Sequence, residues 1–555
     1  MERDDAAIRG SFAGDIYQKG IKIEKQNVLD SLPKRFKELH EAGYVHIHDL
    51  EGYDKVYNCC TPDLRTYFST RDLIGASDAA KVMNFFNSLK NLITTLALNQ
   101  TGGIGFANID DDIAFVFHRY DTVRYIDENI SFVKDCIVDL LNWINTTYTR
   151  YCREPYYLTF NMGLSDSLWG RKITELFLKS FKNSPMNFVR PNIVFKLNKK
   201  INGTEESPNF DLYKIALEST AKRMIPTYLL TESTVNTACN PENLSIMGCR
   251  TRVYNNCNGV VGTIGRGNLA CISMNLPRLA LESKSTDVFF ERLISLMNDV
   301  HDILLHRSDC FKKNSEGYND WIQRNKIWKS VSSEEMVKQG TLAFGFIGLS
   351  ETVEILTDYK YWQNPTATSL AYKIVQKMRG FVDECRNSEH LNYSLLATPA
   401  EMLSGRFCDI DSKLFHHKIH EKGFYTNSFH TEVDSQLSAF DKIKAESPFH
   451  ELCNGGCISY IEFDSAPIKN YIAIKSCIEF AESVGISYLG FNFPLDICNE
   501  CGAKGTFNDC PACGSSNIKR IRRVSGYLED LAYFTKGKTL EEKARLANAI
   551  EEKSK

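Results

Sequence analysis

Apolar and polar residues recur along the chain with two periods, one typical of helices and one typical of strands. Apolar spacing of three and four residues predicts helices at 27–42, 77–99, 126–149, 172–183, 211–223, 287–309 and 366–384. Runs rich in β-branched and aromatic residues predict strands at 44–49, 156–162, 188–197, 341–347, 392–396, 455–463 and 487–492. Because strands alternate with helices over most of the chain, the pattern predicts an α/β fold with a largely parallel sheet, open or closed into a barrel.

Three short stretches depart from this alternation. Residues 496–524 have few large apolar residues and predict a small separate module. Beyond it, Thr539-Leu-Glu-Glu542 is a capping box, which predicts a helical C-terminal tail over residues 531–555. Thr101-Gly-Gly-Ile-Gly105 lacks the full dinucleotide-binding fingerprint and a preceding strand, so we expect it to be a flexible loop.

Composition narrows the class of protein. The chain has 555 residues, more than the roughly 250–300 at which one simple core stops growing, so it should form several domains or one large barrel. The net charge of −3 offers no basic excess for a nucleic-acid backbone, so nucleic-acid binding is disfavoured. No secretory leader and no apolar window of ~20 residues is evident, which predicts a cytoplasmic protein without a membrane span.

Eighteen cysteines are many for such a chain. In a reducing compartment they are more often metal ligands or redox-active groups than a disulfide framework. Most should still be inert, since a free cysteine packs like a small apolar residue.

The strongest spacing signal is a pair of C-x-x-C motifs, Cys498 with Cys501 and Cys510 with Cys513. Two such motifs place four thiolates around one tetrahedral ion, and four cysteines leave no open position for substrate. A redox-active C-x-x-C motif would normally occur once, ahead of a helix. We therefore predict a structural zinc ribbon at 496–520.

The segment Arg522-Arg-Val-Ser-Gly-Tyr-Leu528 follows the ribbon. Taken alone, it could be an ordinary Ser-Gly turn. However, R-V-x-G-Y near the C-terminus resembles the signature of glycyl radical enzymes, and that resemblance makes Gly526 the stored radical. An α-carbon radical needs a planar centre delocalised over the flanking amides, which a side chain would obstruct. Oxygen cleaves the chain at such a radical, so activity should be anaerobic.

The ribbon followed by this motif resembles the anaerobic ribonucleotide reductases, whereas glycyl radical lyases lack the ribbon. The resemblance implies a catalytic ten-stranded α/β barrel at 1–495, a central finger loop at about 240–270 and a glycyl radical loop at 521–530. It also implies triphosphate substrates, nucleotide effectors and a homodimer. The catalytic part starts close to Met1, so no N-terminal ATP cone is expected.

Ile246-Met-Gly-Cys249-Arg250 resembles the family's finger-loop motif, whose cysteine forms the thiyl radical. Cys249 is followed by a polar stretch rich in Asn and Gly, which is consistent with a loop. Without the resemblance, Cys249 would be expected to be one of the inert, packed cysteines.

The resemblance also identifies a reductant pair. Cys59 matches a cysteine on a barrel strand that faces substrate, and Cys271 stands on the strand after the finger, where formate-using members lack a cysteine. The pair implies re-reduction by a thioredoxin- or glutaredoxin-like protein. Cys271 as a packed strand residue, with formate as reductant, is the alternative. Cys60 should point away from Cys59 on the same strand.

Further residues are candidates for substrate contacts. His46 and His48 are read as structural or substrate-orienting, because two histidines without a third ligand are weak evidence for a metal. Asn58 and Asn268 are candidate substrate contacts. Glu462 is the candidate acid/base for loss of the hydroxyl.

The implied reaction starts with a separate activase that carries an iron–sulfur cluster and uses S-adenosylmethionine to abstract hydrogen from Gly526. Cys249 then removes the ribose 3′-hydrogen, and Cys59 with Cys271 supplies two electrons. Two other classes compete with this interpretation: a different glycyl radical enzyme acting as a lyase or dehydratase, and a non-enzymatic zinc-ribbon binding protein.

Overall fold

The computed structural model describes residues 11–73, 75–149, 155–185, 188–327 and 332–549. Its strands are β1 (Val45–Ile47), β2 (Cys59–Thr61), β3 (Ile104–Phe106), β4 (Leu158–Met162), β5 (Asn192–Leu197), β6 (Thr227–Leu230), β7 (Arg266–Asn275), β8 (Thr341–Ile347), β9 (Asn392–Ala397), β10 (Ser459–Glu462), β11 (Tyr488–Asn492), β12 (Leu495–Cys498), β13 (Lys504–Gly505), β14 (Ile518–Val524) and β15 (Tyr527–Asp530).

Nineteen α-helices lie in the same described part of the chain. They are α1 (Phe12–Ser31), α2 (Lys34–Glu41), α3 (Leu64–Ser69), α4 (Asp78–Leu98), α5 (Ile109–Arg119), α6 (Val123–Glu128), α7 (Ile130–Thr146), α8 (Leu168–Asn183), α9 (Phe210–Arg223), α10 (Leu276–Leu281), α11 (Thr286–Asn314), α12 (Glu316–Asn325), α13 (Ser333–Gln339), α14 (Leu349–Thr357), α15 (Pro365–Glu389), α16 (Leu403–Asp411), α17 (Ala439–Leu452), α18 (Tyr471–Ser483) and α19 (Lys536–Ala544).

Ten strands form a barrel from two halves that run in opposite directions. Strands β2 to β6 are parallel neighbours, and so are β7, β8 and β9, while β10 pairs with β11. The halves meet in antiparallel pairs, β2 with β7 and β6 with β11. A bridge between Leu396 and Gly456 joins β9 to the segment before β10 and closes the ring. The expected ten-stranded α/β barrel is confirmed.

Both faces of the barrel strands are buried, which explains their nearly continuous apolar character. All ten residues of β7 are buried, and outward side chains such as Phe160 and Phe195 pack under the surrounding helices. The inward side chains are more polar, for example Thr159 and Asn161 on β4. No helix in the described ranges is long and apolar enough to cross a membrane.

Most predicted elements are confirmed within a few residues, but the helix expected at 27–42 is divided. Helix α1 ends at Ser31 and α2 begins at Lys34, with Pro33 between them. Proline has no N–H to donate, and its ring collides with the preceding turn of a helix. The apolar spacing continues across Pro33, so this spacing alone does not indicate the break between the two helices.

The helical tail expected at 531–555 is shorter than predicted. Helix α19 covers Lys536–Ala544, and its N-cap is Thr535, which accepts a hydrogen bond from the Lys538 amide at 3.4 Å. The expected capping box is wrong, because Thr539 lies inside the helix. Residues 545–549 follow without helix, and the remainder of the tail lies outside the described residues.

A second, four-stranded sheet in the order β13-β12-β14-β15 contains the C-terminal module. Strand β12 ends at Cys498, and β14 pairs antiparallel with β12 on one side and with β15 on the other. The turn between β14 and β15 consists of Ser525 and Gly526. The cysteine module and the expected radical loop are therefore parts of one sheet.

Candidate active site

The segment between β6 and β7 enters the barrel and places Cys249 at its tip. Strand β4 holds this finger loop through the side chains that face inward. Asn161 accepts a hydrogen bond from the Ile246 amide at 2.9 Å and donates to the Ile246 carbonyl at 2.8 Å, while the Thr159 hydroxyl donates to the Gly248 carbonyl. The two-residue period of the strand thus supplies two successive polar supports for the finger.

The finger passes close to two glycines, Gly103 just before β3 and Gly105 within it. A Cβ on Gly105 would lie 2.8 Å from the Cα of Met247, and one on Gly103 would lie 2.5 Å from the Cα of Gly248. The expectation that Thr101–Gly105 is a flexible loop is wrong for its end, because Ile104 begins β3. The glycines leave room for the finger.

Gly526 lies at a two-residue hairpin turn and contacts the finger tip. Ser525 and Gly526 both have positive φ, +48° and +141°, and such turns favour glycine. A Cβ on Gly526 would lie 2.8 Å from the Cα of Cys249 and would overlap its Cβ. Only glycine therefore fits between the hairpin and Cys249.

Two tyrosines cover this contact. The rings of Tyr157 and Tyr527 lie 5.1 Å apart between centroids, and both pack with Cys249 in a small buried cluster. Because Tyr527 follows Gly526 directly, the hairpin that contacts Cys249 also supplies one of the two rings that cover it.

Cys59 lies on β2 beside the finger. Its thiol donates to the Asn58 side-chain oxygen at 3.0 Å, and its sulfur accepts from the Gly103 amide at 3.2 Å. Cys60 points the other way, toward Gln100 in the outer core, as predicted. The alternation of the strand thus separates the two adjacent cysteines.

A bulge in β7 turns Cys271 toward the same cavity as Cys59. Cys59 pairs with Asn268, so these two side chains share a face. Simple alternation would turn Cys271, three positions later, to the opposite face. However, the pairing of β7 with β8 shifts between Asn268 and Ala270, and both Leu269 and Ala270 pack in the outer core. This irregularity restores Cys271 to the inner face.

Burial keeps all three thiols protonated at neutral pH. It raises the pKa of Cys249 to about 11 and that of Cys271 to about 12, and it raises the pKa of Cys59 well above its ordinary value. A thiolate would suit metal binding or nucleophilic attack. Protonated thiols instead hold the S–H bonds that hydrogen-atom transfer requires.

The three cysteines line one cavity of about 100 Å³. Its wall also contains two carboxylates, Asp49 and Glu401, neither of which was singled out from the sequence. Glu401 stands in the segment Thr398-Pro-Ala-Glu401, which follows β9. Both can exchange protons with a molecule in the cavity.

The candidate substrate contacts lie at different depths. His48 and Asn58 line the cavity, and Asn58 donates to Asp49 at 2.7 Å. Asn268 stands behind them and donates to Asn58 at 3.3 Å. His46 is buried beside His48, with ring centroids 4.6 Å apart, and does not line the cavity.

Glu462 does not lie with the cysteines. It accepts hydrogen bonds from Arg545 at 2.6 Å and from Asn492 at 2.8 Å, in a separate cavity beneath α19. Glu462 therefore lies outside the cavity expected to hold substrate, and its side chain contacts Arg545 of the C-terminal tail. Glu462 and Arg545 are far apart along the chain, and nothing in the sequence indicates that they pair.

The four cysteines of the C-terminal module form one cluster. Their sulfur atoms lie within 4.8 Å of one another, with 3.6 Å between Cys498 and Cys513 and 3.4 Å between Cys501 and Cys510. A tetrahedron with Zn–S bonds of ~2.3 Å has sulfur–sulfur edges of about 3.8 Å. The cluster therefore fits a tetrahedral metal ion.

Comparison with known proteins is consistent across sequence and fold. The family model described as anaerobic ribonucleoside-triphosphate reductase matches residues 5–547. The chain is 29% identical to the anaerobic ribonucleoside-triphosphate reductase of Escherichia coli (strain K12), over 93% of this chain and 78% of that protein.

Two solved structures share the fold. An anaerobic ribonucleotide reductase superposes with a TM-score of 0.73 at 14% identity, covering 97% of this chain and 88% of that one. The anaerobic ribonucleotide reductase from Thermotoga maritima in complex with dATP and CTP superposes with a TM-score of 0.69 at 15% identity, covering 96% and 90%.

Proposed function

The chain belongs to the anaerobic ribonucleoside-triphosphate reductase family, and we propose that it reduces ribonucleoside triphosphates through a radical stored on Gly526 and passed to Cys249. The single observation that carries this proposal is the contact between Gly526 and Cys249 inside the barrel, at the cavity that Cys59 and Cys271 also line. A lyase would need Cys249 but not the additional pair of thiols, Cys59 and Cys271.

The first step is an exchange of one hydrogen atom. The S–H bond of Cys249 breaks, the Cα–H bond of Gly526 forms, and the unpaired electron moves to sulfur. The contact between the two residues removes the need for an intermediate carrier. The Cys249 thiyl then takes the 3′-hydrogen of the ribose and returns it at the end of the cycle.

The other two thiols of the cavity supply the reducing equivalents. Cys59 and Cys271 together give two electrons and two protons and become a disulfide. One proton leaves with the 2′-hydroxyl as water, and the other ends on the 2′-carbon. A thioredoxin- or glutaredoxin-like dithiol would restore the pair.

Carboxylates in the cavity can move these protons. We assign this role to Glu401, with Asp49 in the wall of the same cavity, instead of Glu462. Negative charge at Glu401 and Asp49 also opposes ionisation of Cys249 and Cys271, respectively. The same groups thus favour the protonated thiols that the reaction consumes.

The remaining partners are proposed from the family. Cys498, Cys501, Cys510 and Cys513 would hold structural Zn²⁺, which would fix the sheet that carries Gly526. A separate radical S-adenosylmethionine enzyme with an iron–sulfur cluster would generate the radical. We further propose a homodimer that binds nucleotides as substrates and as effectors, as the Thermotoga maritima structure contains dATP and CTP.

The test is anaerobic CTP reduction by activated enzyme, with a thioredoxin system and with formate in parallel. We expect deoxycytidine nucleotide with thioredoxin alone. Product with formate alone would retain the reductase and reject the Cys59–Cys271 pair. Enzyme that carries the glycyl radical yet makes no product with either reductant would contradict the proposed function.

Two matched variants sharpen this assay. Cys59→Ser removes the inward thiol and should abolish turnover with thioredoxin. Cys60→Ser removes its outward neighbour and should leave turnover close to wild type, because Cys60 contacts Gln100 outside the cavity.

A further inference from the structure

Two arginines hold the peptide groups on either side of Gly526. Arg523 donates to the Gly526 carbonyl at 2.7 Å. Arg250 donates to the Ser525 carbonyl, also at 2.7 Å, and that carbonyl belongs to the amide whose nitrogen is the Gly526 nitrogen. Each flanking amide thus receives one guanidinium.

Both guanidinium groups are shielded from water. Arg250 is fully buried and Arg523 is 5% exposed. An arginine is effectively always protonated, so these are charge-assisted hydrogen bonds, which are stronger than those between neutral groups. The two arginines are also anchored differently. Arg523 donates to Asn492 on β11 at 2.7 Å, whereas Arg250 follows Cys249 on the finger loop.

We propose that Arg250 and Arg523 are positioning residues that align the two amide planes around Gly526 and so set where its radical resides and how it reaches Cys249. This inference rests on the proposed function, because it requires Gly526 to carry the radical. It adds two residues that donate to the backbone on either side of Gly526 and do not line the cavity of the three cysteines.

The physical reason lies in how a glycyl radical is stabilised. The unpaired electron spreads from the α-carbon onto the adjacent nitrogen and carbonyl only while both amides are coplanar with that carbon. Arg523 adds a positive charge at the Gly526 carbonyl oxygen, which receives part of the spin. It should therefore draw spin away from the α-carbon and stabilise the stored radical.

Arg250 should act mainly on the transfer. It stands next to Cys249, so its bond to the Ser525 carbonyl ties the finger tip directly to the hairpin. In the transfer, the Cys249 S–H bond breaks and the Gly526 Cα–H bond forms, with no other reactant. Loss of Arg250 should leave the radical intact and lower the rate of this exchange.

The alternative is that Arg250 and Arg523 have a purely structural role. Buried charged groups need hydrogen-bond partners wherever they lie, and carbonyls commonly serve. Arg252 provides the matched case. It is a buried finger arginine that donates to Asn236 and to the Cys453 carbonyl instead of the hairpin. Arg252→Gln therefore reports the general cost of losing a buried arginine from the finger.

The experiment measures the hydrogen exchange directly, without nucleotide. Full-length enzyme is activated anaerobically in H₂O and transferred to D₂O, and the electron paramagnetic resonance doublet from the Gly526 α-hydrogen is followed. Exchange with Cys249 introduces deuterium from its thiol and collapses the doublet. The set comprises wild type, Arg250→Gln, Arg250→Lys, Arg523→Gln and Arg252→Gln.

We expect Arg250→Gln to keep the wild-type splitting but to lose the doublet about tenfold more slowly, the effect of one charge-assisted hydrogen bond. Arg250→Lys should fall between Arg250→Gln and wild type. Arg523→Gln should show a wider splitting, since more spin stays on the α-carbon, and faster decay of the radical. Arg252→Gln should match wild type in both.

Collapse at the wild-type rate in Arg250→Gln would overturn the role of Arg250, and so would equal slowing in Arg252→Gln. An unchanged splitting in Arg523→Gln would overturn the role of Arg523. If Arg250→Gln carries no radical, Arg250→Lys decides the question, because the splitting and the rate do not depend on radical yield. Wild-type enzyme whose doublet never collapses would also overturn the role of Arg250 in this exchange. If that enzyme makes no deoxycytidine nucleotide either, the proposed transfer to Cys249 is contradicted as well.

Discussion

Arg190 and Glu529 form a buried ion pair between the barrel and the hairpin. The guanidinium nitrogen lies 2.6 Å from the carboxylate oxygen, and each side chain is 4% exposed. Glu529 stands on β15, three residues after Gly526, and Arg190 stands just before β5. The pair therefore fixes the hairpin against the barrel wall, at some distance from the site that it positions.

Glu529→Gln should lower both stability and the amount of stored radical. It leaves the Arg190 charge buried without its counterion, which costs about 3–5 kcal/mol in comparable pairs. The measurements are urea unfolding and radical content per chain. Asp299→Asn, which removes an exposed pair with Arg35, is the control and should cost about 1 kcal/mol or less. Equal effects of the two variants would contradict the assigned role.

Gly526→Ala should abolish the radical and destabilise the hairpin. The added methyl group would overlap Cys249, and alanine at a φ of +141° costs roughly 1–3 kcal/mol. Electron paramagnetic resonance after activation and a thermal melt measure the two effects. A radical signal in this variant would show that another residue stores it.

Cys249→Ser should keep the radical on Gly526 and make no product. Serine fills the same space, but its O–H bond is too strong for a glycyl radical to break. The radical signal and deoxycytidine nucleotide formation are measured on one sample. Turnover in this variant would show that the finger cysteine is not the thiyl site.

Cys271→Ser should abolish reduction with a thioredoxin system. Without its partner thiol, Cys59 cannot supply two electrons by forming a disulfide, so no deoxycytidine nucleotide should form. The radical should still form, because Cys271 does not contact the hairpin turn. Unchanged turnover would reduce Cys271 to a packed strand residue.

Metal removal should loosen the hairpin without opening the barrel. Cys498 ends β12, and β12 pairs with β14, which leads directly to Ser525 and Gly526. Cys501→Ser should reduce bound zinc and lower the radical yield, while the circular dichroism of the barrel stays close to wild type. Full zinc content together with full radical yield would contradict this link.

The features that could be predicted from the sequence are those whose signal is local. Cys498, Cys501, Cys510 and Cys513 form the expected cluster because their spacing itself brings the sulfur atoms together. The same holds for long periodic elements such as α4 and β8. Resemblance to the family supplied the barrel, which periodicity alone left open between a sheet and a barrel.

The features that escaped prediction depend on contacts between distant segments. Nothing near Cys271 in the sequence announces the bulge that turns it inward. Glu401 lines the cysteine cavity, whereas Glu462 pairs with Arg545 of the C-terminal tail. The positions of the two glutamates along the chain do not indicate which of them lies near the cysteines. Strand β3 lies at the end of a glycine-rich segment that lacks a nucleotide-binding fingerprint, and Gly105, which makes room for the finger, belongs to a residue type that disfavours strands.

The sheet that carries Gly526 has a consequence for how oxygen damage would look. Cleavage at the radical would break the covalent link between residues 527–555 and the rest of the chain. That piece would still be paired through β15 to β14, held by Arg190 at Glu529 and by Glu462 at Arg545. An inactivated molecule would therefore keep its native shape and size until it is denatured. Proteases that act on unfolded chains would therefore not degrade it, and inactive enzyme would accumulate beside active enzyme.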